Sequence, residues 1–329
     1  MAIHKTVAVT GATGFVGRNV VRELLSRGHR VRSLARDREK AREVLPPPGA
    51  DASHTVVVGD LFDTGAMRAL AEGCDAMVHL VGVIREDPPA TFERMHVDAT
   101  RRAIDAATAS GVSRYLHMSA LGASDTGIAR YLTTKFEGER LVRRSGLDWT
   151  IFRPGLIHGR DGEATNTFAD LAAGHHPPFF FIPYFTRFHI DTRVPLGSAT
   201  PIDPCIAPVS VEDVSRAFGA ALEKPGTVGE IYNLVGSETL SWPEMLTRFR
   251  DAVPGSNHRL SPWGVPSEVA AAVAHVAAKV SLDRFLPFDE GMARMGGQDA
   301  VASLDKARAD LGIEFEPFTK SFSRYAASL

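Results

Sequence analysis

A tyrosine and a lysine four positions apart, Tyr131 and Lys135, follow a serine, Ser119, in the stretch HMSALGASDTGIARYLTTKFEGE. In a helix, side chains at i and i+4 lie on one face, so the phenol and the ammonium would be neighbours. A phenol with an ordinary pKa of about 10 acts as a base at neutral pH only if a nearby cation stabilises its ionised form. The spacing therefore predicts a proton-transfer site; the alternative is a half-buried aromatic ring beside a solvated lysine.

A glycine-rich turn, TGATGFVG, lies between the first apolar run and the first helical period. Gly11 permits a tight turn, Gly14 lets the backbone approach a pyrophosphate at the helix N-terminus, and Gly17 lets helix and strand pack closely. Ordinary turns also collect glycine, but here strand, turn and helix follow in order. The pattern predicts a dinucleotide-binding turn in which three intervening residues also lie at the cofactor: Thr13, Phe15 and Val16.

The end of the second predicted strand distinguishes the two nicotinamide cofactors. An acidic residue there would bind the ribose 2′-hydroxyl, whereas a nearby arginine accommodates a 2′-phosphate. The sequence SLARDR has Ala35 where the acid is expected, followed by Arg36. We predict that NADP(H) is preferred. Two alternatives stay open: NAD(H) binding through Asp37 in a shifted register, and a solvated surface position for Arg36.

Further cofactor contacts are predicted at the ends of later strands. Asp60, followed by Leu61 in the stretch GDL, supplies a carboxylate suited to the adenine amino group. The alternative for this aspartate is to cap the following helix. The remaining predicted cofactor residues are Val81 and Gly82, which end AMVHLVG, and Pro154 in FRPG.

Short β-branched runs alternate with helical periods over the first half of the chain, which is the pattern of βαβ units. We predict an α/β fold, a doubly wound parallel Rossmann sheet with a smaller C-terminal substrate lobe. The NAD(P)-binding domain would comprise 1–158 with 206–236 returning to it, and the smaller lobe 159–205 and 237–329. The predicted strands are 6–10, 29–35, 54–60, 76–82, 114–120, 148–154 and 230–236, and the predicted helices are 16–28, 64–73, 95–111, 133–146 and 208–226.

Taken in order, the glycine turn, GDL, AMVHLVG, the YxxxK pair and FRPG resemble the short-chain dehydrogenase/reductase superfamily in its extended or atypical branch. Within that branch, SALGA, YLTTKFEGE and WTIFRPG are most similar to the NDUFA-nine-type proteins, relatives of an accessory subunit of respiratory complex I, and more loosely to NmrA-type NADP-binding proteins. The resemblance implies that Tyr131 exchanges a proton with the substrate oxygen while hydride passes between substrate and nicotinamide. It also implies that Lys135 binds the nicotinamide ribose.

Two departures from this family pattern concern the catalytic site. Active members place a serine or threonine hydroxyl at the second of two small positions ending the fifth strand, where RYLHMSALGA has Ser119 first and Ala120 second. The resemblance also implies an asparagine near the start of the preceding helix, where HVDAT has His96 and Asp98. A Ser-Tyr-Lys site is therefore predicted to be incomplete, and a proton relay through asparagine to be altered.

Composition argues against a nucleic-acid partner and favours one compartment. A net charge of -2, with both signs mixed along the chain, gives no basic face for nucleic acid. Two cysteines without a CxxC pattern favour a reducing environment. The start of the chain passes directly into the first strand, so no signal peptide is expected, and no run is long enough to span a membrane. We expect a cytoplasmic protein, with association at the inner face of a membrane left open.

The stretch 172–197 carries six clustered aromatics among prolines and is predicted to be a fixed loop. Its aromatics have three possible positions, in the core, around an apolar pocket or on a membrane or partner surface, and the core is the default. Histidines in this stretch lack a recognisable ligand spacing, so no metal site is predicted. In the helical stretch 269–280, a stripe of valines (Val269, Val273, Val276 and Val280) is predicted to pack in the core.

The leading functional hypothesis is an NADP(H)-binding oxidoreductase that acts on an apolar or quinone-like small molecule. The main alternative is a non-catalytic protein that binds NADPH as a structural or redox-sensing ligand and contacts a protein complex or a membrane. A nucleotide-sugar epimerase or dehydratase is a weaker alternative, because a sugar-diphosphate site needs more polar and basic contacts than 172–197 offers.

Overall fold

The computed structural model describes residues 4–47, 53–191, 198–279 and 286–329. The strands of this part of the chain are β1 (Thr6–Thr10), β2 (Arg30–Ala35), β3 (His54–Val58), β4 (Ala76–His79), β5 (Arg114–Met118), β6 (Asp148–Pro154), β7 (Ile157–His158), β8 (Ile182–Asp191), β9 (Ser198–Ile202), β10 (Cys205–Ile206), β11 (Val209–Ser210), β12 (Glu230–Leu234), β13 (Leu240–Ser241) and β14 (Pro262–Pro266). Seven of them form one parallel sheet in the order β12-β6-β5-β4-β1-β2-β3. The predicted doubly wound α/β fold is confirmed.

Helices cover both faces of this sheet. The helices of the described residues are α1 (Phe15–Ser26), α2 (Arg38–Val44), α3 (Thr64–Ala71), α4 (Ala99–Ala109), α5 (Arg130–Arg144), α6 (Glu163–Ala173), α7 (Val211–Glu223), α8 (Trp242–Ala252), α9 (Ser267–Lys279), α10 (Glu290–Gly296), α11 (Asp305–Leu311) and α12 (Phe318–Ser323). A π-helix, Glu93–Asp98, precedes α4, and 3-10 turns occupy Pro225–Thr227 and Ala326–Ser328. Helices α1, α7 and α11 bury their apolar residues on one face, and α3, α4 and α5 on the other.

Strand β1 illustrates why the sheet is apolar on both faces. Val7 and Val9 belong to the core beneath α1 and α7, whereas the intervening Ala8 belongs to the core beneath α3 and α4. All three are 0% exposed. Because side chains of a strand alternate between faces, a parallel strand covered on both sides is a continuous apolar run. TVAVT is such a run, and it forms an interior strand of the sheet between β4 and β2.

A second core forms where α6, α8 and α12 meet, and β8 connects it with a small three-stranded sheet. The ring of Phe249 in α8 packs at a tilt against Phe318 and Phe322 of α12, and all three residues are at most 3% exposed. The predicted loop over 172–197 is wrong in part, since Ile182–Asp191 is a strand that pairs with β14 and β9. Its partner β14 lies far downstream, so local proline content did not indicate the pairing. Residues 192–197 lie outside the described part of the chain.

The aromatics of this segment divide between core and surface. Tyr184 packs against the second core, and Phe185 packs between α9 and α10. By contrast, Phe179, Phe180 and Phe188 are 59%, 75% and 48% exposed. The prediction that these aromatics lie in the core is therefore correct for only some of them.

The valine stripe of α9 does not pack in the core, so that prediction is wrong. Val269, Val273 and Val276 are 56%, 52% and 60% exposed, whereas alanines face inward. These buried alanines are Ala270, Ala271 and Ala274. Small side chains allow α9 to approach Phe185 and α10 closely, and this close contact decides which apolar face is covered. Val280 lies outside the described residues.

Among the helices described by the structure, none is both long and apolar enough to cross a membrane.

Candidate functional site

The glycine turn lies between the end of β1 and the start of α1. Gly11 has a left-handed φ of +74°, and its carbonyl oxygen accepts a hydrogen bond from Gly14 N at 3.1 Å. A Cβ atom on Gly17 would lie 2.0 Å from this same oxygen, so a larger residue cannot occupy the position without moving the turn. Gly14 is the N-cap residue and has no side chain to satisfy the first N–H groups of α1. The turn can therefore bind an anion such as a pyrophosphate.

The three predicted cofactor residues between the glycines have different surroundings. Val16 is 8% exposed and belongs to the core beneath α1. Phe15 packs against the loop after β7, since a Cβ atom on Gly159 would lie 2.9 Å from its ring. Thr13 is half-buried in the turn. Of the three, only Thr13 has a polar side chain that a cofactor could reach, and Val16 can act only through its backbone.

At the end of β2, Ala35 is buried and Arg36 is exposed. Asp37, the alternative ribose ligand, is the N-cap of α2, and its Oδ1 accepts hydrogen bonds from Glu39 N and Lys40 N at 2.8 and 3.2 Å. One of its oxygens is thus committed to the helix. The exposed guanidinium of Arg36 is available for a 2′-phosphate.

At the end of β3, Asp60 is exposed and its Oδ1 accepts a hydrogen bond from Phe62 N at 2.8 Å. The helix cap is instead Asp63, which accepts from the N–H groups of Gly65 and Ala66 at the start of α3. The alternative that Asp60 caps this helix is therefore wrong. Leu61 is 6% exposed and packs in the core, so only its backbone can contact a ligand.

Lys135 lies on α5 with its ammonium between the end of β5 and the loop after β4. Its Nζ donates a hydrogen bond to the carbonyl oxygen of Met118 at 3.2 Å, and its side chain is 4% exposed. A Cβ atom on Gly82 would lie 2.5 Å from this Nζ, so Gly82 leaves the space that the ammonium occupies. The same edge of the sheet carries Gly11, where a Cβ atom would lie 3.1 Å from the backbone of Leu80. The structure thus brings the glycine turn, the end of β4 and Lys135 together.

The remaining predicted cofactor residues flank this edge. Val81 is half-buried and packs against the core beneath α3 and α4. Pro154 ends β6, is buried, and its carbonyl oxygen accepts a hydrogen bond from Leu121 N at 2.9 Å. Because the carboxyl ends of parallel strands meet at one edge, both residues lie on the side where open α/β sheets bind ligands.

Burial changes the acidity of both members of the Tyr131–Lys135 pair. It lowers the pKa of Lys135 to about 8, while the negative charge of Glu139 acts in the opposite direction. It raises the pKa of Tyr131 to about 12. At neutral pH the phenol therefore carries its proton and the lysine is mostly charged. In this state Tyr131 is a proton donor with an ammonium one helical turn away.

Tyr131 packs edge-on against His96 and Phe92, with ring centroids 5.4 and 5.9 Å apart. His96 belongs to the π-helix, a rare form often found at functional sites. Its Nδ1 lies 2.8 Å from Thr134 Oγ1, and its Nε2 lies 3.2 Å from Val83 N. The sequence showed only that His96 occupies an unexpected position; its contacts with Tyr131 and α5 depend on how the π-helix packs.

Ser119 and Ala120 follow β5. Ser119 is 2% exposed, its N–H donates to the Phe152 carbonyl oxygen at 2.7 Å, and its Oγ has no hydrogen-bond partner among the described residues. Ala120 is 5% exposed and has no hydroxyl. The Ser119 hydroxyl is closed off from solvent, so a substrate oxygen could reach it only after a local movement.

A layer of buried histidines lies below this site, on the sheet face that α4 and α5 cover. The rings of His79 and His117 stack with centroids 5.6 Å apart. His79 bonds Thr10 Oγ1 through Nδ1 at 2.7 Å, whereas His117 has no hydrogen-bond partner in the described chain. Burial lowers the pKa of His79 to about 3 and that of His117 well below its usual value, so both rings are neutral.

A parallel sheet, a glycine turn at a helix N-terminus and a tyrosine–lysine pair at the same edge define a nicotinamide-dinucleotide-binding protein of the Rossmann class. A family described as NAD(P)H-binding matches residues 11–175. The chain belongs to this family, in the atypical branch of the short-chain dehydrogenase/reductase superfamily that contains the NDUFA-nine-type proteins.

Individual relatives differ in their named activities. The mitochondrial NADH dehydrogenase (ubiquinone) 1 alpha subcomplex subunit 9 of Mus musculus is 30% identical over 310 residues, covering 94% of this chain and 76% of the mouse protein. Ceramide reductase of Caulobacter vibrioides is 36% identical over 167 residues, or 51% of each chain. The chain thus spans about half the length of that reductase.

A solved structure of the NADPH-dependent quinone oxidoreductase QOR2 from Escherichia coli, complexed with NADPH, has a TM-score of 0.68 to this chain. It is 20% identical, and the match covers 97% of this chain and 99% of QOR2. At this identity the likeness shows the shared fold.

Proposed function

We propose that this protein reduces a carbonyl or quinone group of an apolar small molecule, with NADPH as hydride donor and Tyr131 as proton donor. The observation that carries the proposal is the placement of Tyr131 and Lys135 at the sheet edge, with Lys135 Nζ against Gly82 and the glycine turn nearby. Relatives of this chain include proteins named as reductases, which supports this reaction class.

In this proposal, separate residues bind the cofactor and transfer the proton. The first turn of α1 would hold the pyrophosphate, Arg36 a 2′-phosphate, and Lys135 the ribose next to the nicotinamide. When bound, the cofactor supplies the hydride. Tyr131 would give its proton to the oxygen that becomes a hydroxyl, and Lys135 would stabilise the phenolate that remains.

Two exposed aliphatic side chains, close in sequence to Gly82 and Tyr131, support an apolar substrate. Ile84, two residues beyond Gly82, is 49% exposed, and Ile128, three residues before Tyr131, is 45% exposed. Ligand sites are mostly apolar with a few polar groups, and these isoleucines would flank the polar pair.

Exposure of Arg36, with Ala35 in place of an acid, supports NADPH over NADH. Titration of each cofactor against intrinsic fluorescence tests this preference. We expect tighter binding of NADPH; equal affinities would mean that Arg36 does not select the cofactor.

A panel of quinones, aldehydes and ketones with long apolar groups tests the reaction. Tyr131→Phe should abolish turnover of any substrate found, while NADPH affinity stays within about twofold, because only the proton-donating hydroxyl is lost. Tyr184→Phe is the matched control, since Tyr184 bonds Asp203 far along the chain. Undiminished turnover by Tyr131→Phe would assign the proton to another group.

Ala120 favours a second candidate, a non-catalytic NADPH-binding accessory protein. The hydroxyl that would orient a substrate is missing at this position, and that of Ser119 is buried. The exposed valine stripe of α9 would then be available to a protein complex or a membrane surface. Tight NADPH binding without oxidation of NADPH by any member of the panel would favour this candidate.

A further inference from the structure

His96 connects two parts of the candidate site that are distant in sequence. It is 2% exposed and lies in the π-helix between β4 and α4. On one side its Nδ1 is 2.8 Å from Thr134 Oγ1, and on the other its Nε2 is 3.2 Å from Val83 N and 3.0 Å from Val83 O. The imidazole thus bridges the loop after β4 and helix α5.

Each neutral tautomer of His96 satisfies both contacts. With the proton on Nδ1, the ring donates to Thr134 Oγ1 and accepts from Val83 N; Thr134 then donates to the Arg130 carbonyl oxygen at 2.8 Å. With the proton on Nε2, the ring donates to Val83 O and accepts from Thr134. A neutral imidazole therefore leaves no nitrogen unpaired in this buried position.

The two elements that His96 joins hold the reacting groups. Val83 directly follows Gly82, whose backbone lies against Lys135 Nζ, and Thr134 directly precedes Lys135. The imidazole also packs edge-on against Tyr131 at 5.4 Å and stacks on Phe92 at 5.4 Å. A shift of this ring would move the ribose side of the site and the tyrosine together.

We propose that His96 is a positioning residue that fixes the distance between the Gly82–Val83 loop and the Tyr131–Lys135 helix. The proposal rests on the proposed function for its catalytic consequence, but its structural part concerns the protein without cofactor. Asparagine, the residue implied at this point by the family resemblance, is shorter than histidine and would have difficulty reaching both partners at once.

The charges around Lys135 are compatible with a neutral imidazole at His96. Glu139 on the same helix favours the charged lysine, whereas buried His79 on β4, His117 on β5 and His96 are uncharged near neutral pH. Burial lowers the pKa of His96 to about 2, and the charge of Lys135 adds to this effect. The bridge thus holds the ammonium in place without adding a second positive charge.

The first test removes the hydrogen bonds of His96 and keeps a ring of similar size. In His96→Phe we expect NADPH to bind about tenfold more weakly, because the loop at the ribose loses its link to α5. We also expect the pKa of Lys135, followed by NMR of labelled lysine in the protein without cofactor, to rise by about one unit as water reaches the loosened site. The Lys135 signal is identified by its loss in Lys135→Gln.

Three further variants separate positioning from general stability. His96→Gln should recover much of the NADPH affinity, since its amide can restore the contact with Val83. Thr134→Val tests the α5 end of the bridge with a side chain of equal size, and it serves if His96→Phe does not fold. His158→Phe is the matched control: this buried histidine bonds Tyr325 and Ser321 in the second core, so it should lose stability without changing NADPH affinity or the Lys135 titration.

The outcomes are distinct for the two proposals. If His96→Phe and Thr134→Val both bind NADPH within about twofold of the wild type and leave the Lys135 titration unchanged, the positioning role is overturned. If the wild type binds no NADPH, the proposed function fails. The Lys135 titration needs no cofactor, and its shift in the His96 variants would still support the bridge in that case.

Discussion

Arg153 of β6 and Glu139 of α5 form a bidentate ion pair. Arg153 Nε donates to Glu139 Oε1 and Arg153 Nη2 donates to Glu139 Oε2, each at 2.7 Å. Glu139 is 0% exposed, and Arg143 also contacts it from the next turn of α5. The carboxylate lies one turn beyond Lys135 and is the charge that favours its ammonium form. This ion pair, buried at Glu139 and half-buried at Arg153, therefore links the helix that carries the tyrosine–lysine pair to the sheet.

We predict that Glu139→Gln lowers the free energy of unfolding by about 1.5 to 3 kcal/mol, because charge-assisted hydrogen bonds to Arg153 are lost while its guanidinium, 21% exposed, stays partly hydrated. Denaturant unfolding measures the effect. Glu137→Gln, on the exposed side of the same helix, is the control and should change stability by no more than about 0.5 kcal/mol. Similar losses in both variants would mean that the ion pair contributes nothing specific.

Arg36→Ala should weaken NADPH binding about tenfold and leave NADH binding nearly unchanged, because only the 2′-phosphate requires the guanidinium. Isothermal titration calorimetry with each cofactor measures both affinities. Arg42→Ala removes another exposed arginine nearby, on α2, and should alter neither. An equal loss for NADPH and NADH in Arg36→Ala would contradict the predicted role.

We predict that Lys135 makes the free energy of unfolding depend on pH between about 8 and 10.5. Its folded-state pKa is about 8 against an ordinary 10.5, so between these values the unfolded chain holds a proton that the folded chain lacks. Stability contributed by this group therefore rises as pH increases from about 8 to 10.5, by ~3 kcal/mol in total, and is constant below pH 8.

Urea unfolding of the wild type and of Lys135→Met at several pH values measures the contribution of Lys135, as the difference between their free energies of unfolding. We expect the wild type to gain stability relative to the variant across the window, since methionine cannot titrate. A difference that does not change with pH would show that Lys135 keeps its ordinary pKa in the folded protein.

The two apolar faces of α9 should respond differently to substitution. Ala271→Val should lower the free energy of unfolding by about 1 to 3 kcal/mol, because the alanine is 1% exposed and the added methyl groups would enter a close contact. Val273→Ala should change it by no more than about 0.5 kcal/mol, since Val273 is 52% exposed. Thermal unfolding compares them, and a larger loss for Val273→Ala would mean that the valine face is covered in solution.

Features set by neighbours in the chain were predictable from sequence. The glycine turn was identified because its close approaches, such as that of Gly17 to the Gly11 carbonyl, occur within seven residues. Tyr131 and Lys135 were placed on one helix face because the helical period alone determines it. Runs such as TVAVT indicated the strands of the sheet because burial on both faces requires continuous apolar residues.

Other features exist only once distant segments pack. The pairing of β8 with β14 joins residues about 80 positions apart, and proline content in the first segment says nothing of it. Hydrophobicity alone favours burial of the valine face of α9. The alanine face is buried instead, because small side chains permit close contact with neighbouring elements. His96 gains its role from Val83 and Thr134, which lie 13 and 38 residues away.

The amino-acid sequence by itself thus determined the fold, the glycine turn between β1 and α1 and the spacing of the tyrosine–lysine pair, because local geometry and apolar periodicity specify them. Tertiary structure alone decided that the buried Glu139 pairs with Arg153, that Ser119 is enclosed, and that His96 bridges the loop after β4 and helix α5. Each of these features depends on side chains that are distant in sequence and come into contact only when the chain packs. Local sequence patterns therefore do not reveal them.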